Sequence, residues 1–503
     1  MKFTLSKAHA ESLAVSLLVL PVSGRTLKRG SSLEKIDRAL KGTIKAILKR
    51  EAFTGKAGTH QLIHTHGQIP AEALLLVGTT HKTKGDLSPN ALEQLRRAAA
   101  SAAQTANKIK AKTLAFDLGA WPRDKADKSK GAERVRALVE GMELGVYRFT
   151  DYVKVKKDEQ PSLSQVQILS REGTSTGRRA IRDGQAVARG TKLARDLINT
   201  PAGDLSPREL GRRARKVGPG IRVRIYSKTE IERMKMGSYL SVSQGSTKDP
   251  ALIHMTYKPK GRSKKSYAIV GKGVTFDSGG LSLKPPNSME TMKDDMAGGA
   301  AAIGLMQTLA EIKPSVTVHA IVAATENMPS GSATKPGDIA RAMNGKTIEI
   351  LNTDAEGRLT LADALQFAIK HKPDVVIDLA TLTGACLVAL GERCSGLMGN
   401  DSRLLDKIKR AAERAGEMVW PLPLIEEYRE DLKSPIADLK NIGGRWGGTI
   451  EAGLFLEEFV DKGTRWAHLD IAGPSWANKE LPYCPKGGTG CMVNTLTHLI
   501  LGD

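Results

Sequence analysis

Two stretches of this chain concentrate residues able to manage charge at a single point. The first is Asn352-Thr353-Asp354-Ala355-Glu356-Gly357-Arg358-Leu359. Along an extended backbone alternate side chains share a face, so Asp354, Glu356 and Arg358 are expected on one side of the segment. Two acids and a permanent cation facing one point suit a divalent cation beside an anionic intermediate. Alone, the pattern reads more simply as a solvated loop with a local ion pair. The second stretch changes that balance. It runs Val270-Gly-Lys-Gly-Val-Thr-Phe-Asp-Ser-Gly-Gly-Leu-Ser-Leu-Lys284, followed by Met292-Lys-Asp-Asp-Met296. Lys272 lies between glycines in a strand-like run and Asp277 follows. Gly279-Gly280 then allows backbone to come close to a neighbour. Lys284 and Asp295 complete the set, ahead of a small-residue helix predicted over Ala297 to Ile312. Acids and lysines thus gather at the ends of successive elements of a βα unit, where open α/β sheets place ligand sites.

These stretches resemble the signatures of the leucyl (cytosol) aminopeptidase family, whose members are dinuclear-metal peptidases. The Asn352–Leu359 segment matches the family hallmark at every position. The Gly271–Lys284 and Met292–Met296 runs match in order and spacing. The similarity extends from about Ala194-Arg-Asp-Leu-Ile-Asn-Thr-Pro201 to the C-terminus, and includes Trp466-Ala-His-Leu-Asp-Ile-Ala-Gly473 and Lys486-Gly-Gly-Thr-Gly490. No comparable pattern is found in the first 180 or so residues.

The resemblance implies a division of labour. One ion would be held by Asp277, Asp354 and Glu356, and the other by Lys272, Asp277, Asp295 and Glu356. Hard oxygen ligands suit such ions, with Mn²⁺ or Zn²⁺ the expected pair. By its type alone Lys272 reads as a phosphate or carboxylate binder, since an amine binds metal only when neutral; its role as a ligand comes from the family. Lys284 makes sense as an electrophile for the oxyanion formed when water attacks an amide. Arg358, in the family, holds a bicarbonate that acts as general base. Met292, Thr381, Gly384 and Ala472 are placed by the resemblance near the pocket for the first side chain, and are apolar or small. Asp294 occupies the variable motif position and is expected as a solvent-facing helix cap. One departure from the family pattern is Gly299, expected to weaken its helix by ~1 kcal/mol relative to alanine.

Around these motifs the elements follow from periodicity. Short β-branched runs (Ala268 to Phe276, Thr317 to Thr325, Val375 to Leu379, Ala467 to Ile471) alternate with helices (Ala297 to Ile312, Thr360 to Lys370, Ala452 to Val460). That alternation predicts an α/β fold with a mostly parallel sheet flanked by helices. The expected organisation is a smaller N-terminal α/β domain (1–175), a linking helix (176–200) and a larger C-terminal catalytic domain (201–503). The apolar run Leu13 to Val22 reads as two early strands rather than a signal peptide.

Composition narrows the classes. No apolar run is long enough to span a membrane. Cys386, Cys394, Cys484 and Cys491 form no C-x-x-C pair, which fits a reducing cytoplasm. The net charge of +22 is lopsided: residues 1–265 hold 52 Lys/Arg against 24 Asp/Glu, and residues 266–503 hold 24 against 30. A solvated basic surface is the simpler reading, with DNA binding through the basic N-terminal half as the alternative and a two-metal phosphoesterase as the rival hydrolase. His60, His64 and His66 form the one histidine cluster along the sequence. They read as incidental surface histidines, a zinc site being the alternative. The partners implied by the family are peptide substrates and further copies of the chain, as a hexamer.

Overall fold

The computed structural model describes residues 1–24, 26–50, 53–79, 90–122 and 131–502. The chain divides into two compact units, Met1–Ala188 with Glu480–Pro485, and Arg189–Lys479 with Lys486–Asp503.

In the first unit, strands β1 (Lys2–Ser6), β2 (Leu17–Val22), β3 (His60–His64), β4 (Ala73–Gly78), β5 (Thr113–Asp117) and β6 (Gln165–Leu169) form one sheet in the order β1-β6-β5-β2-β4-β3. All neighbours are parallel except β3 against β4. The run Leu13 to Val22 holds one strand, not two. Every residue of β2 is buried, with Leu17 and Val19 in one core and Leu18, Leu20 and Val22 in the other. A strand covered on both faces has no polar alternation to mark its limits. Helices Ala91–Lys108 and Gly131–Gly145 cover the first of these cores. Between them the wholly buried Glu140 takes a 2.7 Å ion pair from each of Arg96 and Arg136. Part of the unit's basic excess is therefore internal.

The second unit carries β7 (Ile221–Tyr226), β8 (Ala251–Tyr257), β9 (Ser266–Asp277), β10 (Thr317–Asn327), β11 (Asp338–Arg341), β12 (Thr347–Ile350), β13 (Val375–Ala380), β14 (Cys394–Gly399), β15 (Met418–Pro421), β16 (Leu439–Lys440) and β17 (Trp466–Asp470). Eight of them form a sheet in the order β15-β14-β17-β13-β9-β10-β8-β7, and β11, β12 and β16 form a small separate sheet. The four central strands, β17 to β10, are mutually parallel. Antiparallel strands flank this block, β8 pairing with β10 and β14 with β17. The Ala297–Ile312 helix packs on one face and the Glu356–Ile369 helix on the other, each within its own apolar core.

Gly299 has a packing reason that outweighs its helix propensity. A Cβ there would stand 2.6 Å from Val322 Cγ1, and one at Gly298 would stand 2.0 Å from the Leu379 carbonyl oxygen. The helix lies backbone-close on the sheet, which only glycine allows at these contacts.

Candidate dinuclear metal centre

Lys272, Asp277, Lys284, Asp295, Asp354 and Glu356 meet toward the C-terminal ends of the central strands. Lys272 lies within β9 and Asp277 ends it; Asn327 ends β10 directly opposite Asp277. Asp295 follows a 3-10 turn over Met292–Asp294, and Glu356 is the first residue of its helix. Glu356 and Arg358 therefore stand in a first helical turn, not in an extended segment. Two positions on a helix are about 200° apart, so the two side chains diverge. A carboxylate in that turn is also favoured by the helix dipole.

Lys272 Nζ lies 2.7 Å from Asp295 Oδ1 and 2.8 Å from Glu356 Oε1, and donates to the Thr381 carbonyl oxygen at 2.8 Å. Lys284 Nζ lies 2.9 Å from Asp277 Oδ2 and 2.5 Å from Asp354 Oδ1. Asp277 Oδ1 accepts from the Gly279 amide at 2.9 Å and from Asn327 Nδ2 at 2.8 Å. Thr381 Oγ1 donates to Asp295 Oδ1 at 2.7 Å. The glycine expected at a close approach is found there: Gly279 has φ of 85°, and a Cβ on it would sit 2.4 Å from the Ser282 carbonyl oxygen and 2.8 Å from Asp354 Oδ1.

Such crowding has an electrostatic signature. Burial raises the carboxyl pKa of Asp277, Asp295 and Asp354, and neighbouring acids push the same way against the pull of the lysines. Burial lowers the ammonium of Lys272, but Asp295, Glu356 and Asp277 more than reverse this and leave it raised. Lys284 is raised for the same kind of reason, with Asp277 foremost among the acids.

The donor set suits divalent cations. Carboxylate oxygens of Asp277, Asp354 and Glu356 lie within 4.8 Å of one another. Asp295 Oδ2, Asp354 Oδ1 and Glu356 Oε1 are buried acceptors with no hydrogen bond among the described residues, although the last two lie in ion-pair range of a lysine. Buried acceptors left so are costly unless a cation meets them. Oxygen-rich donors with a shared centre are what two such ions require.

Arg358 is aimed elsewhere. Its Nη1 donates to the Asn441 carbonyl oxygen at 2.8 Å, its guanidinium lies 5.9 Å from the Phe455 ring centroid, and its buried Nε has no partner among the described residues. Burial lowers its pKa to about 10 despite Glu451, Glu356 and Asp470.

Of the four residues expected near the substrate, Thr381 touches both Lys272 and Asp295, as described. Met292 is half-buried in the turn before Asp295, Gly384 is exposed at the start of the Gly384–Leu390 helix, and the Ala472 amide donates to Asp470 Oδ1 at 3.1 Å. Asp294 is not solvent-facing. The 3-10 turn rotates it inward to 6% exposure, where burial raises its carboxyl to about 7. His60, His64 and His66 are all exposed, and His66 lies beyond the end of β3 with φ of 50°. The four cysteines are buried.

Two asparagines were not singled out from sequence. Asn327 ties Asp277 to the Thr353 carbonyl through Nδ2, at 2.8 and 3.0 Å. Asn441 accepts from the Leu351 amide at 2.9 Å and donates to the Asn352 carbonyl at 2.7 Å, shaping the loop before Asp354. Asn327 could have been found from its place at the end of a strand beside β9. Asn441 carries no local signal.

A mostly parallel α/β sheet with a carboxylate-and-lysine centre at its strand ends fits a metal-dependent hydrolase. The chain belongs to the cytosol aminopeptidase family and is a metal-dependent aminopeptidase. Residues 192–497 match the family's catalytic domain and residues 19–156 its N-terminal domain, so the family signature reaches into the region where no sequence pattern had been found. Probable cytosol aminopeptidases of Persephonella marina and Rippkaea orientalis are 41% identical over 507 residues and 45% identical over 472 residues. The first match covers 100% of both chains, the second 93% of both. Among solved structures, a variant of tomato leucine aminopeptidase has a TM-score of 0.88 at 34% identity, covering 100% of this chain and 97% of that one. The bottromycin maturation enzyme BotP in complex with Mn has a TM-score of 0.83 at 34% identity, covering 97% and 99%.

Proposed function

We propose that this enzyme removes leucine or other apolar N-terminal residues from peptides. The observation carrying the reading is the convergence of Lys272, Asp277, Lys284, Asp295, Asp354 and Glu356 at one buried point. Asp277, Asp354 and Glu356 would hold one ion, and Lys272, Asp277, Asp295 and Glu356 the other. When bound, two Mn²⁺ or Zn²⁺ ions would supply Lewis acidity toward a peptide carbonyl and a more acidic water.

The protein's own groups do the rest. Lys272 must surrender the proton it shares with Asp295 and Glu356 before its amine can serve as a ligand. Lys284, held by Asp277 and Asp354, keeps its positive charge where the oxyanion develops. Arg358 offers an unpartnered, buried Nε–H to a bicarbonate-type base. Thr381 fixes Lys272 and Asp295 together, while Met292, Gly384 and Ala472 border the first side chain. The catalytic machinery is assigned to 201–503, joined by a linking helix (176–200) to an N-terminal domain (1–175). A homohexamer in the cytoplasm completes the reading, the location supported by the name of the relatives and by the burial of all four cysteines.

Turnover of leucine amides by Asp354→Ala and Glu356→Ala proteins tests this reading. Loss of turnover with an unchanged circular dichroism spectrum is expected, and retained activity overturns it.

A further inference from the structure

Far from the carboxylate centre, three histidines that are scattered in sequence meet in space. His254 belongs to β8, His319 to β10, and His371 lies two residues beyond the Glu356–Ile369 helix. Their ring centroids are 5.2 Å (254–319), 4.4 Å (254–371) and 4.7 Å (319–371) apart. His254 Nε2 and His319 Nδ1 are 3.0 Å apart, and one nitrogen from each of the three rings lies within 4.8 Å of the others. His319 stands near the start of β10 and Asn327, which bonds Asp277, at its end. Eight residues of strand separate them by about 26 Å. This cluster is no part of the dinuclear centre.

The rings are held as neutral bases. Burial lowers His254 to about 3 and His319 to about 4, with the other imidazoles adding to the effect, and burial also lowers His371. No carboxylate pairs with any of them among the described residues. One shared proton between His254 and His319 satisfies two nitrogens, but the buried Nε2 of His371 has no hydrogen-bond partner among the described residues. Phe367 closes the cluster edge-on, 5.6 Å from His254 and 5.2 Å from His371. Three neutral nitrogen donors lie within 4.8 Å of one another, His371 Nε2 unspent and His254 Nε2 also 3.3 Å from Thr256 Oγ1, a set that can serve a metal ion.

We propose that His254, His319 and His371 form a mononuclear site for a borderline transition-metal ion of the Zn²⁺, Co²⁺ or Ni²⁺ class, separate from the catalytic pair. All-imidazole donors select against Mg²⁺ and favour these ions. The rings stack near-parallel, at 10° (319–371) and 24° (254–319), so a metal–nitrogen distance of about 2.0–2.1 Å requires them to rotate until their in-plane lone pairs converge on the ion. Binding releases no net proton: the hydrogen shared by His254 and His319 passes to the other nitrogen of its ring. Arg222, Arg224 and Lys258 lie close enough to repel positive charge at His254 or His319. They favour an anion such as chloride as the fourth ligand. The ion would pin the C-terminal end of the helix that begins with Glu356 to the sheet, where positive charge also complements the helix dipole.

Co²⁺, supplied alone to metal-stripped full-length protein, tests the site. None of the proposed catalytic ligands is a histidine, so hyperfine-shifted, solvent-exchangeable imidazole N–H proton resonances would report this cluster. These signals are expected in the wild-type protein and in Asp354→Ala/Glu356→Ala, and are expected to vanish in His319→Gln and His371→Gln. The last two variants should bind one Co²⁺ fewer per chain and still hydrolyse leucine amides. Absence of the signals from the first two proteins, or their persistence in His319→Gln, overturns the proposal.

Discussion

Lys272 in the middle of β9 and Glu356 at the first residue of a helix on the opposite side of the motif order form a 2.8 Å ion pair, wholly buried. Asp295 shares the same ammonium at 2.7 Å. Without metal this lysine is the cation that compensates the acids; with metal it must become neutral. Under the proposed assignment the same residue is a counter-ion in one state and a ligand in the other.

Removing that counter-ion should therefore be felt before catalysis is considered. Lys272→Ala leaves buried carboxylates uncompensated, and metal-stripped protein is expected to lose on the order of 3–5 kcal/mol in urea unfolding. Added Mn²⁺ or Zn²⁺ should recover part of it. A metal-free stability equal to wild type refutes this role.

Lys284 separates differently. Lys284→Met is expected to lower kcat on the order of 10²–10³-fold, the size of a lost oxyanion donor. Metal content by elemental analysis should stay near that of wild type. A change in KM alone would assign Lys284 to substrate binding.

Arg358 gives a test that needs no structural change elsewhere. With bicarbonate removed from the buffer, wild-type activity should drop on the order of 10²-fold if the ion is the general base. Arg358→Met should start low and show no response to added bicarbonate. Equal responses in both proteins contradict the assignment.

The histidine cluster predicts a pH dependence of stability. Unfolded imidazoles take up protons near 6.5, whereas His254 and His319 in the folded chain resist until about 3 and about 4. The unfolded state binds more protons in between, so stability is full above about 6.5 and falls as pH drops toward 4. In metal-stripped protein, His319→Gln should flatten this slope in urea unfolding curves recorded across that window. Co²⁺ or Zn²⁺ should steepen it in the wild type.

Asp363, buried in the Glu356–Ile369 helix, accepts the Tyr239 amide at 2.8 Å and the Met343 amide at 2.7 Å. Asp363→Ala strands both donors, and a loss on the order of 3 kcal/mol is expected in denaturant unfolding. Metal binding should survive it.

The motif residues announced the centre because each must be a particular chemical type: Asp277, Asp295, Asp354 and Glu356 are carboxylates at element ends, and no packing argument would put them there. The central strands were equally plain, since β9, β10 and β13 each contain a short apolar run (Tyr267–Val270, Ala320–Ala324, Val375–Ile377) between helices. Direction was harder. Alternation placed Glu356 and Arg358 together, but the chain turns helical at Glu356 and sends one toward Lys272 and the other toward Asn441 and Phe455. Asp294 went inward for a similar local reason, a 3-10 turn that side-chain type does not encode.

The amino-acid sequence by itself determined the chemistry available: which groups could bind cations, which could carry charge, and which runs would become buried strands. Those depend on residue type and short-range period, and both are written locally. Only the tertiary structure decided which distant groups share a point. Asn327 meets Asp277 because two strands run in register, and Asn441 reaches Arg358 across a loop. The histidines adjacent in sequence, His60, His64 and His66, stay exposed at the surface, while His254, His319 and His371 converge because β8, β10 and a helix end pack against one another. Sheet order and helix docking arise from the summed burial of whole apolar faces, so no local window of residues contains them.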